Sequence, residues 1–439
     1  MKYLFVACLL CLSVLSAVAK VPAMNKIRLT NNWEYLKGDL GGIWEAVRPA
    51  APGSSEAVPI WQPVTLPHCF NAEDAVDPDV NYYEGPGWYK TLLAIDNPYR
   101  NGRIVLDFDG AGQKTDVYVY TTHVGSHVGG YDSWNVDITD AVKAFLGSKD
   151  AERFKGKVPL SIRCDNSRDL EMIPSDLADF NIYGGLYRYL NLVYLPEVSF
   201  EQIHLESSLS SNLKEGILKV KTSFYNPEDI RKADVTVSVY DVDRKPVFSK
   251  TLEGILPLGD QLLAKMKIKN PVLWDVDVPQ LYTCELTVKT PDQTFTTEER
   301  FGFRHTEFKD KGPFFLNGKR LLLRGTHRHE DHAGVAQAMT EDMMRREMRM
   351  MKDMGVNFIR LGHYQQSEII LDLCDELGIL VWEEIPWCRG GLGGDVYKKQ
   401  ARRMLANMIV QHHNHPAVII WGLGNENDWP NDFNTFDKS

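Results

Sequence analysis

The chain has 439 residues and a formal net charge of −10, with no block or stripe of Lys and Arg, so a nucleic-acid or anionic-membrane surface is not expected. Hydrophobic residues make up 44% and charged residues 25%, the composition of a soluble globular protein with room for several domains. Aromatic residues reach 10%, which suits a surface that stacks on sugar faces and equally suits an aromatic-rich β-sandwich.

Lys2, the apolar run from Tyr3 to Leu15 and the small-x-small Ala17-Val18-Ala19 read as an export leader over residues 1–19, cleaved after Ala19. The expected location is therefore secreted or periplasmic. No later stretch holds 18 consecutive apolar residues, so no membrane span is expected. Past the leader, Cys69, Cys164, Cys284, Cys374 and Cys388 are widely scattered and form neither a disulfide framework nor a CxxC zinc motif.

From 20 to 197 the chain reads as β structure, with short runs such as Arg103 to Phe108 and Asp116 to Tyr120 broken by Gly, Asn and Pro. Residues 198–304 form a second β set, with strand-like runs at Ile217–Phe224, Asp234–Tyr240, Leu262–Ile268 and Leu281–Lys289. That spacing predicts an immunoglobulin-like sandwich. From 305 to 439 strands alternate with helices. Strands are expected at Arg320–Leu323, Val356–Leu361, Ile379–Trp382 and Val418–Trp421. Helices are expected at Glu341–Met354, Ser367–Leu377 and Val396–Gln411, the first two stopped by Gly355 and Gly378. Repeated βα units mean a parallel sheet, and this pattern holds the first half of a (β/α)8 TIM barrel, whose full length is roughly 250 residues.

The sharpest chemical signal is the apolar strand Val418-Ile-Ile-Trp421 running into Asn425-Glu426. Active sites of barrels lie at the carboxyl ends of their strands. A carboxylic acid there can protonate a departing oxygen and then activate water, and Asn425 can hold a neighbouring hydroxyl. A second constellation is Arg324-Gly-Thr-His-Arg-His-Glu-Asp-His332. The i, i+2 spacing of His327 and His329 also fits a metal-dependent amidohydrolase, but the later strand ends offer no Lys to bridge two metals. Arg360, His363 and Tyr364 end the second strand, and Glu383, Glu384 and Trp387 follow the third. Arg360 serves either a sugar pocket or the barrel interior, and Glu384 is either a second catalytic carboxylate or a support for its neighbours.

Leu316-Asn-Gly-Lys319, Leu323-Arg-Gly-x-x-Arg-His-Glu330, Arg360-x-x-His-Tyr364 and Asn414-His-Pro-x-Val-Ile-Ile-Trp-x-x-Gly-Asn-Glu426 together resemble the catalytic domain of glycoside hydrolase family 2. Gly185-Leu-Tyr-Arg188 resembles the end of that family's sugar-binding jelly roll, and Phe301-Gly-Phe-Arg304 the end of its immunoglobulin-like domain. The resemblance implies a jelly-roll sandwich, an immunoglobulin-like sandwich and a TIM barrel, and hydrolysis of β-linked sugars with retention of configuration. It makes Glu426 the general acid/base and Asn425 the amide before it. His329 and His363 line the first sugar subsite, and Asp179 reaches toward the sugar from the first domain. Trp387 joins them as an aromatic at a strand end. The family's magnesium ligands would fall near Cys388 and Gly390, so no metal site and no cofactor are expected. The family's nucleophile is a Glu on the seventh strand, beyond the four units read here.

Two readings follow. One is a retaining glycosidase acting on an oligo- or polysaccharide, β-galactosides first, with glucuronidase or mannosidase activity on the same scaffold as the alternative. The other is a carbohydrate-binding chain without catalysis, inactive for want of the second carboxylate. Oligomerisation is left open by both.

Overall fold

The computed structural model describes residues 26–49, 59–174, 178–227, 229–389 and 394–427. The leader expected over residues 1–19 and Gly390 lie outside them. Among the described residues no helix is long and apolar enough to cross a membrane, and all five described cysteines are free and buried.

The first domain is a sandwich of two antiparallel sheets. One has the strand order Lys26–Arg28, Leu190–Leu195, Arg103–Phe108, Trp134–Asp137. The other runs Gln62–Val64, Trp33–Lys37, Pro86–Leu93, Val158–Asp165, Lys114–Val119, Thr122–Val128. Alternating side chains from both sheets fill the space between them, including Trp33, Tyr89, Phe108, Val117, Leu160 and Ile162. Tyr120, at φ 54, turns the chain back into the next strand, which ends the run expected from Asp116 one residue early.

The second domain packs a sheet of Ser199–Leu209, Glu215–Tyr225 and Gly259–Lys269 on one of Pro246–Ile255, Ala233–Tyr240, Tyr282–Lys289 and Thr294–Phe301. Glu215–Tyr225 alternates strictly between inward and outward residues, as a half-buried strand must. This domain is tied to the next by side chains rather than by shared strands. Trp274 donates its indole N–H to the Asp375 carbonyl at 2.9 Å, Arg300 pairs with Asp372 at 2.6 Å and Glu376 at 2.8 Å, and Asn414 bonds both Leu205 N and Ile203 O at 2.9 Å.

The third domain contains four parallel strands in sequential order, Gly325–Arg328, Phe358–Leu361, Leu380–Glu384 and Val418–Gly422. Helices Glu341–Asp353, Glu368–Leu377 and Asp395–His412 connect them. Thr340 and Ser367 cap the first two helices, accepting from Met343 N and Ile369 N. Among the described residues the sheet is an arc of a barrel and does not close.

The first barrel strand differs from expectation. Lys319–Arg320 belongs to a small antiparallel sheet with Thr306–Phe308 and Phe314–Leu316, and the barrel strand begins only at Gly325. The reason is local. Asn317 (φ 52) and Gly318 (φ 76) make the paired left-handed turn that folds Lys319–Arg320 back on Phe315–Leu316. His327 therefore sits on the barrel strand itself, and His329 just past its end.

Candidate active site

Parallel pairing sets the geometry. His327 lies opposite Arg360, Arg360 opposite Trp382, and Glu384 opposite Gly422, so their strands deliver His327, Arg360 and Glu384 to one end of the sheet. Alternation along a strand separates the two adjacent glutamates. Glu383 is buried against His412 of the third helix, 2.8 Å away, whereas Glu384 meets Arg360 and His363. Glu384 accepts from Arg360 Nε at 3.0 Å and Nη2 at 2.8 Å, and its Oε1 lies 2.7 Å from His363 Nδ1. Both its oxygens are thus committed.

Arg360 also donates through Nη2 to Asn425 Oδ1 at 2.9 Å. Asn425 is held further by backbone bonds, its N to the Trp387 carbonyl at 2.8 Å and its O from Arg389 N at 2.9 Å. Its side-chain amide approaches Cys388 Sγ at 3.4 Å. Two turns of main chain come this close because Gly424 has no side chain: a Cβ there would stand 2.7 Å from the Trp387 carbonyl oxygen.

Glu426 follows with φ 52, the left-handed region that a non-glycine residue adopts at a cost of order 1–3 kcal/mol. Its carboxylate is exposed and lies 3.6 Å from Arg389 Nε. Asp179, from the first domain, reaches the same place: Cys388 Sγ donates to its Oδ1 at 3.2 Å. Burial, opposed in part by the Asn425 contact, pushes the Cys388 thiol up to about 11, so it stays protonated, donating to Asp179 while its sulfur accepts from the Asn425 amide.

His327, His329 and His363 lie together. The first two rings stack at 5.0 Å, and His363 stands edge-on to both. Burial, with His327 and His363 beside it, drives His329 down to about 4; burial, then His363 and Arg360, lowers His327. Near neutral pH both are uncharged. Phe180 covers this cluster, its ring 5.8 Å from His329, 6.3 Å from His363 and 5.1 Å from Tyr364.

The structure thus brings Glu426, Asn425, His329, His363 and Asp179 to one region, linked through Arg360, Glu384 and Cys388. Trp387 differs. It is 2% exposed and packs with Ile173, Ile385, Tyr397 and Met404, its ring edge-on to Tyr397, which makes it a packing residue rather than an open sugar platform. Phe180 and Cys388 were not read from the sequence as site residues. Phe180 has no signal in the sequence beyond its place next to Asp179, and Cys388 stands where the resemblance would put a magnesium ligand.

Comparison with known proteins finds one family along most of the chain. Residues 40–196 match the model of the glycosyl hydrolases family 2 sugar binding domain, 198–304 that of glycosyl hydrolases family 2, and 307–438 that of the family 2 TIM barrel domain. The chain is 32% identical over 382 residues to a β-glucuronidase of Bacteroides fragilis, covering 83% of this chain and 53% of that protein. It is 30% identical over 403 residues to a β-galactosidase of Thermoanaerobacterium thermosulfurigenes, covering 90% and 53%. Among solved structures, Bacteroides uniformis β-glucuronidase 3 aligns with a TM-score of 0.89 at 60% identity, covering 95% of this chain and 53% of that one. The chain spans about half the length of these relatives.

Proposed function

Because the chain belongs to glycoside hydrolase family 2, we propose that it forms the acid/base half of a retaining β-glycosidase site whose substrates are β-glucuronides. The observation that carries this reading is Glu426, held in a left-handed conformation at the end of the fourth barrel strand, directly after an Asn425 that Arg360 orients. Glu426 protonates the glycosidic oxygen as a second carboxylate attacks the anomeric carbon. Its carboxylate then takes a proton from the water that cleaves the glycosyl-enzyme. We place the attacking carboxylate on a later barrel strand, since retaining chemistry needs two carboxyl groups about 5–5.5 Å apart and both Glu384 oxygens are already bound to Arg360 and His363. Asn425, His329, His363 and Asp179 hold the sugar. Export through the leader at residues 1–19 belongs to the same reading.

β-Galactosides, placed first on sequence motifs alone, become the second reading, because relatives named β-glucuronidase support that sugar at least as well. The test is hydrolysis of nitrophenyl β-D-glucuronide and β-D-galactoside by this segment carried within a complete eight-stranded barrel. Preference for the glucuronide with a β-configured first product is expected. Preference for the galactoside replaces the sugar assignment, and no cleavage of either overturns the reading.

A further inference from the structure

Three segments from two domains converge on one sulfur atom. Asp179 comes from the first domain, Cys388 follows the third barrel strand and Asn425 follows the fourth. Cys388 and Asn425 form an isolated parallel bridge, in which Asn425 N donates to the Trp387 carbonyl at 2.8 Å and Arg389 N to the Asn425 carbonyl at 2.9 Å. The backbone on both sides of the thiol is thereby fixed, and the Cys388 side chain is packed at 1% exposure. Asp179, by contrast, is exposed, so hydrogen bonding rather than packing must hold its carboxylate.

A thiol is a donor through its S–H and an acceptor through its sulfur. Cys388 uses both capacities. Its S–H points to Asp179 Oδ1 at 3.2 Å, and its sulfur accepts from Asn425 Nδ2 at 3.4 Å. The other end of that amide, Asn425 Oδ1, accepts from Arg360 Nη2 at 2.9 Å. Were the amide reversed, its NH2 would face a guanidinium, donor against donor, so the sulfur and Arg360 together fix which way Asn425 points. One amide N–H is spent on the sulfur and the other is left for a sugar hydroxyl. Phe180 is next in the chain after Asp179 and lies over His329 and His363, so seating Asp179 also seats this ring.

We propose that Cys388 is a positioning residue that ties Asp179 of the first domain to Asn425 of the barrel, and so sets the spacing of two groups that hold the sugar. This rests on the glycosidase reading given above. Burial keeps the proton on sulfur, so the link is made without placing a second negative charge against the Asp179 carboxylate. Alanine at this position removes both hydrogen bonds. Serine keeps a donor and an acceptor in the same place.

Two experiments test the proposal, and the first needs no catalysis. In the 439-residue chain, Asp179→Ala should speed alkylation of Cys388 by iodoacetamide several-fold, read by mass spectrometry, while buried Cys374 reacts no faster. Unchanged labelling of Cys388, or an equal rise at Cys374, overturns the link between the two domains. The second experiment uses this segment carried within a complete barrel. Cys388→Ala should lower kcat/KM for a nitrophenyl glycoside by about 3- to 10-fold, the range for loss of one or two ordinary hydrogen bonds, and Cys388→Ser should recover most of it. The double variant Cys388→Ala/Asp179→Ala should lose clearly less than the product of the two single losses, because the thiol acts through Asp179. Losses that multiply, or a Ser variant no better than the Ala variant, make Cys388 a packing residue and overturn the proposal. A parent barrel that cleaves no glycoside overturns the glycosidase reading instead, and the alkylation result then still decides whether Cys388 ties the domains.

Discussion

Arg188 of the first domain and Glu330 of the barrel form a salt bridge from which water is excluded. The guanidinium meets Glu330 Oε2 through Nη2 at 2.7 Å and Nε at 3.0 Å, and the side chains are 1% and 0% exposed. Every remaining valence is used. Arg188 donates to the carbonyls of Tyr131 at 2.8 Å and Gln365 at 2.7 Å, and Glu330 Oε1 accepts from Ser367 N at 2.9 Å. The loop that carries Asp179 and Phe180 lies just before Arg188 in the chain, so this bridge anchors the first domain's contribution to the site.

Removing one partner strands the other charge in a dry interface. Arg188→Met should therefore cost about 3–5 kcal/mol, read by chemical denaturation. The double variant Arg188→Met/Glu330→Leu should recover a large part of that loss, because no buried charge is left unpaired. Equal losses in single and double variants would show that the bridge contributes its attraction and not merely its mutual neutralisation.

Glu426→Gln, in this segment carried within a complete barrel, should lower turnover of natural glycosides by about 10²- to 10⁴-fold, the usual loss of a general acid. Aryl glycosides with good leaving groups should lose much less in the first step, since they leave without protonation. Steady-state kinetics on the two substrate types checks both statements. Unchanged turnover of a natural glycoside would remove Glu426 from the mechanism.

His413 lies against His204 between the second domain and the barrel, with ring centroids 3.4 Å apart and planes tilted by 37°. Burial, with His204 beside it, drives its pKa down to about 4. The unfolded chain binds that proton near pH 6.5 and the folded one does not until about pH 4. Stability should thus be complete above about pH 6.5 and fall as the pH drops toward 4, by up to about 3 kcal/mol from this group, with no further loss below. His413→Gln should flatten the fall in midpoint denaturant concentration between pH 7 and pH 5. An identical slope in the variant would assign the acid sensitivity to other groups.

Gly378 ends the second barrel helix at φ 67, and a Cβ there would stand 2.4 Å from the Val276 carbonyl oxygen. Gly355 ends the first at φ 87 with nothing within 4 Å. Both alanine variants bear the left-handed backbone cost of about 1 kcal/mol. Gly378→Ala must in addition displace the second-domain loop between Gly259–Lys269 and Tyr282–Lys289 that carries Val276. Its thermal midpoint should fall distinctly further than that of Gly355→Ala, and equal shifts would mean that the segment gives way freely.

Sequence alone determined the elements whose information is local. Helix 368–377 was legible because its apolar residues repeat at helical spacing, Ser367 caps it and Gly378 stops it. Strand Val418–Gly422 was legible because a run of Val and Ile leads into Gly-x-Gly-Asn-Glu. That strand pattern also points to Asn425 and Glu426 at its end, whereas His329 and His363 enter as sugar-lining residues only through the family resemblance. Tertiary structure decided what depends on contacts between distant segments. Only pairing showed that Arg320 belongs to a hairpin and Gly325 to the barrel, because strand propensity does not say which partner a strand takes. Only alternation within the folded sheet separated Glu383, turned to His412, from Glu384, turned to Arg360 and His363. Trp387 reads as a sugar platform by its place in the sequence and is a packed core residue by its neighbours. Burial and partnership are properties of the packed chain, and residues as far apart as Asp179 and Cys388 acquire a common role only when folding brings them to 3.2 Å.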